Sequence, residues 1–518
     1  MAGEGSKFDV VIIGAGHNGL AAAATLGKKG KRVLVLERSG AIGGLATSYE
    51  ISDGLPISRH AHLAYNLNPT VIAELGLSGK LSMRPLATIM LSDDARHVEI
   101  DGETIRFADG SAHPDGEAYK EIRNRIKKFA GLLAPLALRS PPDPGGGLSL
   151  AGAGEAMPLA ALALKLRLMG KKDMRDFLRI VLSNIYDLAL DDLPDGPLAG
   201  NLAADAVWGA WAGPRSPGTV FSLMYRYGCG GAPLLPQGGM GAVAGAFAAA
   251  ARQAGAEIRT GVSARRVLIA NDAVTGIETD KGEKISAGAV MSSAGAVQSM
   301  MLAGAEHFDV EAVRRIRNVR SKGMTAKVNI LLKRAPDIPG LSKEQMAGRL
   351  IAAPTAIYVE RAFTQAKYGE MPAAPIIEAV IPTLADGGDR HAVSAIVHYI
   401  PRNLKGGWDD AARARLTGLT IDTLARYWPD LRDNVERVDA FSPADIENET
   451  AAPGGHWHHA ELSIDQLLTV RPVNQLSRYA FAVRGFYLCG ASAHPGGDVS
   501  GAAGRNSALQ LLNDGVLA

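Results

Sequence analysis

Cysteine is nearly missing from this chain: Cys229 and Cys489 are the two examples in 518 residues. They are far apart and form no CxxC, which excludes the redox-active pair of a disulfide reductase and suits a reducing cytoplasm or organelle matrix. Cys489, in an apolar segment, reads as a core residue. A charge excess of either sign is also lacking. The formal net charge of +2 and the absence of a dense Lys/Arg block give no electrostatic basis for binding nucleic acid. Lys28, Lys29, Lys31 and Arg32 read as the solvated end of a helix. No uninterrupted apolar run reaches spanning length. Val10 onward is broken by Gly14, His17 and Asn18, and Leu148 to Met169 contains Glu155, Pro158, Lys165 and Arg167. The second stretch suits an apolar helix that lines or covers a substrate cavity, or one that lies on a bilayer surface. The leading MAGEGSK lacks the basic-then-apolar order of a secretory signal, so no export signal is expected. No internal repeat is visible.

What is present begins at once. Phe8 to Glu37 reads FDVVIIGAGHNGLAAAATLGKKGKRVLVLE. The apolar run Phe8 to Ile13 predicts a buried parallel strand, Gly14, Gly16 and Gly19 a tight turn, and Leu20 to Leu26 the start of a helix. Each glycine has its own reason: Gly14 permits the turn, Gly16 lets backbone approach a pyrophosphate, and Gly19 lets helix and strand pack closely. The helix start favours the anion through its free N–H groups and dipole. A second strand, Arg32 to Leu36, then delivers Glu37, about 20 residues past the glycines, where a carboxylate meets a ribose hydroxyl.

Further along, Ser140 to Gly147 is rich in Pro and Gly and reads as an exposed loop, followed by helices to about Leu190. Cofactor-domain features return at Pro236 to Gly241, with a helix to Ala254 and a strand Glu257 to Arg259. A meander follows over Arg266 to Ile269, Val274 to Thr279 and Lys284 to Ser286, then the apolar run Ala289 to Met291. Gly485 to Gly490 forms a last strand and Ala502 to Leu512 a last helix. The economical division is a discontinuous cofactor domain at 1–100, 230–304 and 479–518, with a substrate domain at 101–229 and 305–478 that includes an apolar helical part. No second GxGxxG follows a convincing strand, so a dedicated NAD(P)H domain is not expected.

The glutamate with a following glycine doublet, Glu37-Arg38 and Gly43-Gly44, resembles two-dinucleotide-binding-domain flavoproteins and implies FAD. VIIGAGHNGL, ERSGAIGGLATS and YLCGASAHPGGDVSGAAGRN together resemble the phytoene-desaturase-like flavoproteins, with the pyridine nucleotide-disulphide oxidoreductase domain-containing protein 2 sub-branch as the nearest match. The resemblance covers nearly the whole chain, with its specific motifs at the two ends. It implies an α/β, Rossmann-like flavoprotein with a mixed α/β substrate domain. By the same resemblance Gly14, Ala15, Gly16 and Gly19 face the pyrophosphate, Glu37 the ribose, and Arg38, Gly43 and Gly44 the path to the ribityl chain. Ala264 stands where relatives present backbone to adenine, while Gly490, Asp498 and Val499 lie beside the flavin. Asp498 departs from a common glycine, and Gly490-Ala491 from a common Gly-Asp.

The substrate side is less specified. Arg59, in Ser58 to His62, is placed near the flavin by the resemblance, either to bind an acidic group or to form a structural ion pair. The cluster His456, His458 and His459 has no nearby cysteine and only Glu461 and Asp465 as carboxylates, so no metal is expected. The resemblance makes His459 a candidate acid/base or positioning residue, and places His494 beside the flavin. The implied chemistry is dehydrogenation (desaturation) of an apolar, unsaturated small molecule by hydride transfer to flavin N5. An isomerase, a saturase and a non-catalytic flavin-binding scaffold are the alternatives. Oxygen, a quinone or another protein would accept the electrons. Peripheral membrane contact and homo-oligomerisation are both compatible with the sequence.

Overall fold

The structure, a computed structural model, describes residues 8–142 and 160–517. The central strand, β1 (Phe8–Ile13), leads through α1 (His17–Gly27) to β2 (Val33–Glu37). β1 and β2 run parallel, with Val10 opposite Val33 and Ile13 opposite Leu36. Both faces of these strands are covered, and Val10, Val11, Ile12, Leu34 and Val35 are fully buried. Each such aliphatic side chain contributes about 1.5–3 kcal/mol relative to exposure.

Seven strands make this first sheet, in the order Glu257–Thr260, β2, β1, Lys284–Ser292, Ala273–Thr279 and Ala264–Ala270, with Phe486–Leu488 paired beside Lys284–Ser292. The long strand Lys284–Ser292 joins two patterns. Its first half is antiparallel to Ala273–Thr279, and its second half is parallel to β1 and to Phe486–Leu488. The expected run Ala289 to Met291 is therefore the continuation of the meander's last strand. β1 has β2 on one side and Lys284–Ser292 on the other, which puts the strand-order reversal, where such sheets bind ligands, at its carboxyl end.

Small residues bring three helices together over the sheet. In α1 the buried face includes Ala21 to Ala24, and helix Ala502–Asn513 approaches so closely that a Cβ at Gly504 would strike the Asn18 carbonyl oxygen. The alanine-rich helix Gly239–Gln253 packs in the same core, through Val243, Ala244 and Phe247.

The second sheet has eight strands: Val435–Phe441, Thr325–Leu332, Ala392–His398, Ile376–Val380, Arg349–Ala352, Thr88–Met90, Val98–Asp101 and Thr104–Phe107. Thus Thr88–Met90 and Val98–Asp101, inside the segment read as cofactor domain, belong to the sheet of the other region. Thr88–Met90 pairs parallel with Arg349–Ala352, a long-range partnership that a three-residue strand does not signal in sequence. Strand alternation divides this sheet's two faces. Ala326, Val328, Ile330, Ile377, Ala379, Ala395 and Val397 join Leu416, Leu424 and Trp428 in an apolar core. Thr325, Lys327, Asn329, Glu378, Ser394 and His398 are buried on the opposite face.

Helices Gly116–Leu133, Pro197–Ala206, Thr219–Arg226 and Ala356–Lys367 pack in a third cluster. Residues 143–159, with the first part of the Leu148 to Met169 stretch, lie outside the described residues. Residues 160–168 are helical, with Leu164 and Leu168 exposed, and none of residues 160–190 lines the main cavity. Among the described residues no helix is long and apolar enough to cross a membrane. Cys489 is fully buried and Cys229 exposed, and both thiols are free.

The tight helix crossing is testable. A Gly504→Val substitution should cost about 1–3 kcal/mol or more through overpacking against the Asn18 carbonyl. Urea unfolding would show it as a lowered midpoint; an unchanged midpoint would mean that the two helices are not in contact there.

A dinucleotide cradle opening into a buried polar chamber

At the end of β1 the chain turns through Gly14, at φ +98°, whose N–H donates to the Leu36 carbonyl at 2.7 Å. A Cβ there would run into the Ser293 hydroxyl, and one at Gly19 into the Gly14 carbonyl oxygen. Gly16 differs. Its backbone is extended (φ −69°, ψ 165°) and a Cβ would meet nothing within 4 Å. The position is open space on the cavity wall just before the first turn of α1, where a phosphate would approach free N–H groups.

Glu37 also lines the cavity. Its carboxylate accepts the Ala15 N–H at 2.8 Å and the Ser39 N–H at 2.9 Å, so it fixes the glycine turn while keeping lone pairs for a hydroxyl. The doublet packs onto this turn. Gly43 donates to the Ala15 carbonyl at 2.9 Å and Gly16 and Gly43 form a parallel bridge; Gly43 and Gly44 have φ of +118° and +58°. Ala264 lies on the wall near Glu37, since Val262, two residues before it, donates to the Glu37 carbonyl at 2.9 Å. Arg38 borders the same space but gives its Nη2 to the carbonyls of Asn448 and Glu449. Arg59 is held in a two-point ion pair with Glu449, at 2.8 Å for each bond, and lies 4.6 Å from the Phe441 ring centroid.

The opposite wall is built from two irregular segments. Gly490 is pressed against the Ser293 backbone, Val499 is buried, and Asp498 has φ +60°, which explains why glycine suits that position. The Asp498 carboxylate accepts from Asn66 Nδ2 at 2.7 Å, and burial pushes its pKa up. Its N–H donates to His458 Nδ1 at 3.1 Å, and the His458 N–H donates to His456 Nδ1 at 3.1 Å. Both imidazoles therefore carry their proton on Nε2 when neutral. His459 is at φ +57°, half-buried on the cavity wall, and its Nδ1, itself buried, has no hydrogen-bond partner among the described residues. Burial, with His17 and Arg471 nearby, lowers its pKa to about 4, so its ring is neutral at pH 7. His494 lies outside this cavity, its Nε2 2.9 Å from the Leu136 carbonyl oxygen.

Arg471 joins the two segments. Its fully buried guanidinium donates to the carbonyls of His458, Ala460, Glu461, Gln466, Ala491 and Ala493. Burial lowers its pKa only to about 10, so it stays cationic at neutral pH.

The cavity, about 1020 Å³, continues from this cradle to a chamber under the polar face of the second sheet, lined by Tyr65, Trp208, Arg226, Glu378, Ile396 and His398. Arg349 holds the chamber's carboxylates, with Nε on Glu378 at 2.5 Å and Nη2 on Asp205 at 2.6 Å. Glu378 also accepts from Tyr65 at 3.0 Å and faces His62 Nε2 at 3.1 Å. Burial alone would raise its pKa, but Arg349, His62 and Arg226 hold it well below the carboxylate range. Lys327, 3.1 Å from His62 Nδ1, is fully buried and its pKa is driven well down by desolvation.

Glu378, Arg349, Asp205, Arg226 and Lys327 escaped the sequence reading because they come from separated segments. The available signal was a charge inside an apolar strand, Lys327 in TAKVNILL and Glu378 in IIEAV.

These residues fit FAD: an open, extended glycine at the helix start, a carboxylate beside it, and a cavity at the upper end of the about 300–1,000 Å³ typical for ligands. Gly16→Val should therefore leave the unfolding midpoint nearly unchanged, while flavin content of the purified protein falls roughly tenfold or more. Absorbance at 450 nm per chain is the readout; full flavin loading in the variant would remove the phosphate from this turn.

A family model described as flavin containing amine oxidoreductase matches residues 19–511. The chain is 31% identical to pyridine nucleotide-disulfide oxidoreductase domain-containing protein 2 of Rattus norvegicus, over 98% of this chain and 94% of that protein. It is 29% identical to phytoene dehydrogenase of Streptomyces griseus over 54% of this chain and 52% of that one. In fold it is similar to cyclohexylamine oxidase from Brevibacterium oxydans, with a TM-score of 0.59 at 14% identity, covering 98% of this chain and 99% of that one. The chain belongs to the flavin-containing amine oxidoreductase family and is an FAD-dependent oxidoreductase.

Proposed function

We propose that this oxidoreductase is a dehydrogenase of an unsaturated small molecule with a largely apolar body. The observation that carries this reading is one continuous cavity that joins the dinucleotide cradle to a chamber walled in part by Trp208, Trp457, Met324, Ile396 and Leu63. FAD held by the Gly14 to Gly19 turn and Glu37 would supply a two-electron acceptor for hydride from a substrate C–H bond. The neighbouring C–H gives up a proton, a C=C bond forms, and oxygen, a quinone or another protein later removes the electrons.

The chain's own residues bind, orient and hold protons. His459 lines the cavity and its ring is neutral at pH 7, so it can accept the proton that leaves the substrate. His458 is locked by its Nδ1 contact into the Nε2–H tautomer and orients rather than accepts. The polar face of the second sheet walls the chamber through Thr325, Glu378, Ile396 and His398. Phytoene dehydrogenase among the relatives supports desaturation; the amine named in the family description is the competing substrate class.

Anaerobic mixing of the flavin-loaded protein with a panel of terpenes, polyenes, unsaturated acids and alkylamines tests this. Bleaching of the oxidised flavin by an unsaturated compound, with a product two hydrogens lighter, is expected. Bleaching by alkylamines alone would replace the proposal with amine oxidation, and an isomer of unchanged mass would replace it with isomerisation. His459→Asn, in which asparagine tolerates the left-handed backbone, should slow flavin reduction roughly 10²-fold without loss of bound flavin.

A further inference from the structure

Helix Thr219–Arg226 ends on an arginine that is 7% exposed and lines the inner end of the cavity. Its guanidinium carbon lies 3.7 Å from the Tyr65 ring centroid and 5.3 Å from that of Trp208. A buried guanidinium ordinarily spends its N–H groups on carboxylates or carbonyls. Two carboxylates are near, with Nη2 3.5 Å from Asp205 and 3.7 Å from Glu378. Neither contact is a hydrogen bond, and Arg226 Nη2 is buried without a partner among the described residues.

Competition explains this. Asp205 and Glu378 are already taken by Arg349, and Glu378 also by Tyr65 and His62. Asp498, another carboxylate on the cavity wall, accepts from Asn66 Nδ2 on its Oδ2 at 2.7 Å. Lys327 is a third basic side chain near Glu378, on the other side of His62. Arg226 is thus a donor whose acceptor the described residues do not supply. Since a guanidinium has no acceptor of its own and its planar fork matches two oxygens, the missing partner is an anionic oxygen pair.

We propose that Arg226 receives a carboxylate of the substrate, so that the molecule dehydrogenated is an amphipathic acid with its apolar body along Trp208, Met324 and Ile396. This rests on the dehydrogenase reading above and narrows its substrate class. The tyrosine face under Arg226 holds the guanidinium in place without using its N–H groups, which keeps the fork available to the ligand.

The test is binding, read without turnover. The flavin-loaded protein is titrated with trans-cinnamate and with its uncharged counterpart cinnamyl alcohol, following the visible flavin spectrum. Cinnamate should bind roughly tenfold or more tighter than the alcohol. Arg226→Gln should weaken cinnamate by roughly the same factor and leave the alcohol unchanged. Equal affinities for the two probes, no binding of cinnamate, or a folded Arg226→Gln protein that binds cinnamate as the parent does would each overturn the proposal. The comparison of the two probes on the unaltered protein stands even where the variant does not fold. Failure of every compound to reduce the flavin would sink the dehydrogenase reading while leaving a measured preference for the carboxylate in place, so the two failures are distinct.

Discussion

Six backbone carbonyls converge on one buried cation, Arg471, and the cavity's least regular wall depends on that convergence. Taking a guanidinium out of water costs several kcal/mol, and no carboxylate among the described residues hydrogen-bonds to this one. Charge-assisted hydrogen bonds offset the cost and at the same time satisfy carbonyls that neither a helix nor a sheet would satisfy. The two segments so joined, 458–466 and the one from Gly490 to Val499, present His458, His459 and Asp498 to the cavity. His459 and Asp498 both sit at positive φ, a conformation that persists only where the surroundings determine it.

With that wall in place, the two sheets divide the chemistry. The first is covered on both faces, so its specificity comes from its carboxyl edge, where glycines permit what side chains would block. The second is antiparallel over most of its width, and alternation gives it a dry face and a polar one. Thr325, Lys327, Glu378, Ser394 and His398 share the polar face because each is an even number of residues from its neighbour on the same strand or is paired in register across strands. The dry face against Leu416 and Trp428 provides the stability that lets so many polar groups be buried on the other side.

The cofactor cradle was legible because its determinants are local. Gly14, Gly16, Gly19 and Glu37 lie within one βαβ unit, and the strands from Glu257 to Ser292 follow from alternation and turn residues. The chamber was not legible for the opposite reason. Arg226 ends a helix, Asp205 sits in another, and Glu378 and Arg349 lie on neighbouring strands, so their pairing exists only after long-range folding. Thr88–Met90 is too short to carry a periodic signal and finds its sheet through Arg349–Ala352. The apolar stretch before Leu190 drew attention as a substrate wall, yet its described part puts Leu164, Leu168, Leu178 and Leu182 on the surface. Composition reports that a segment is apolar; it does not report which cavity the segment faces.

The central claim is that one dinucleotide, FAD, occupies the cradle and places its reactive end at the chamber. Denaturing the purified protein, identifying the released cofactor by mass spectrometry and quantifying it against protein tests this most directly. The account predicts FAD at close to one equivalent per chain. Release of FMN or a nicotinamide dinucleotide instead, or a protein that neither retains flavin nor takes up added FAD, would contradict it.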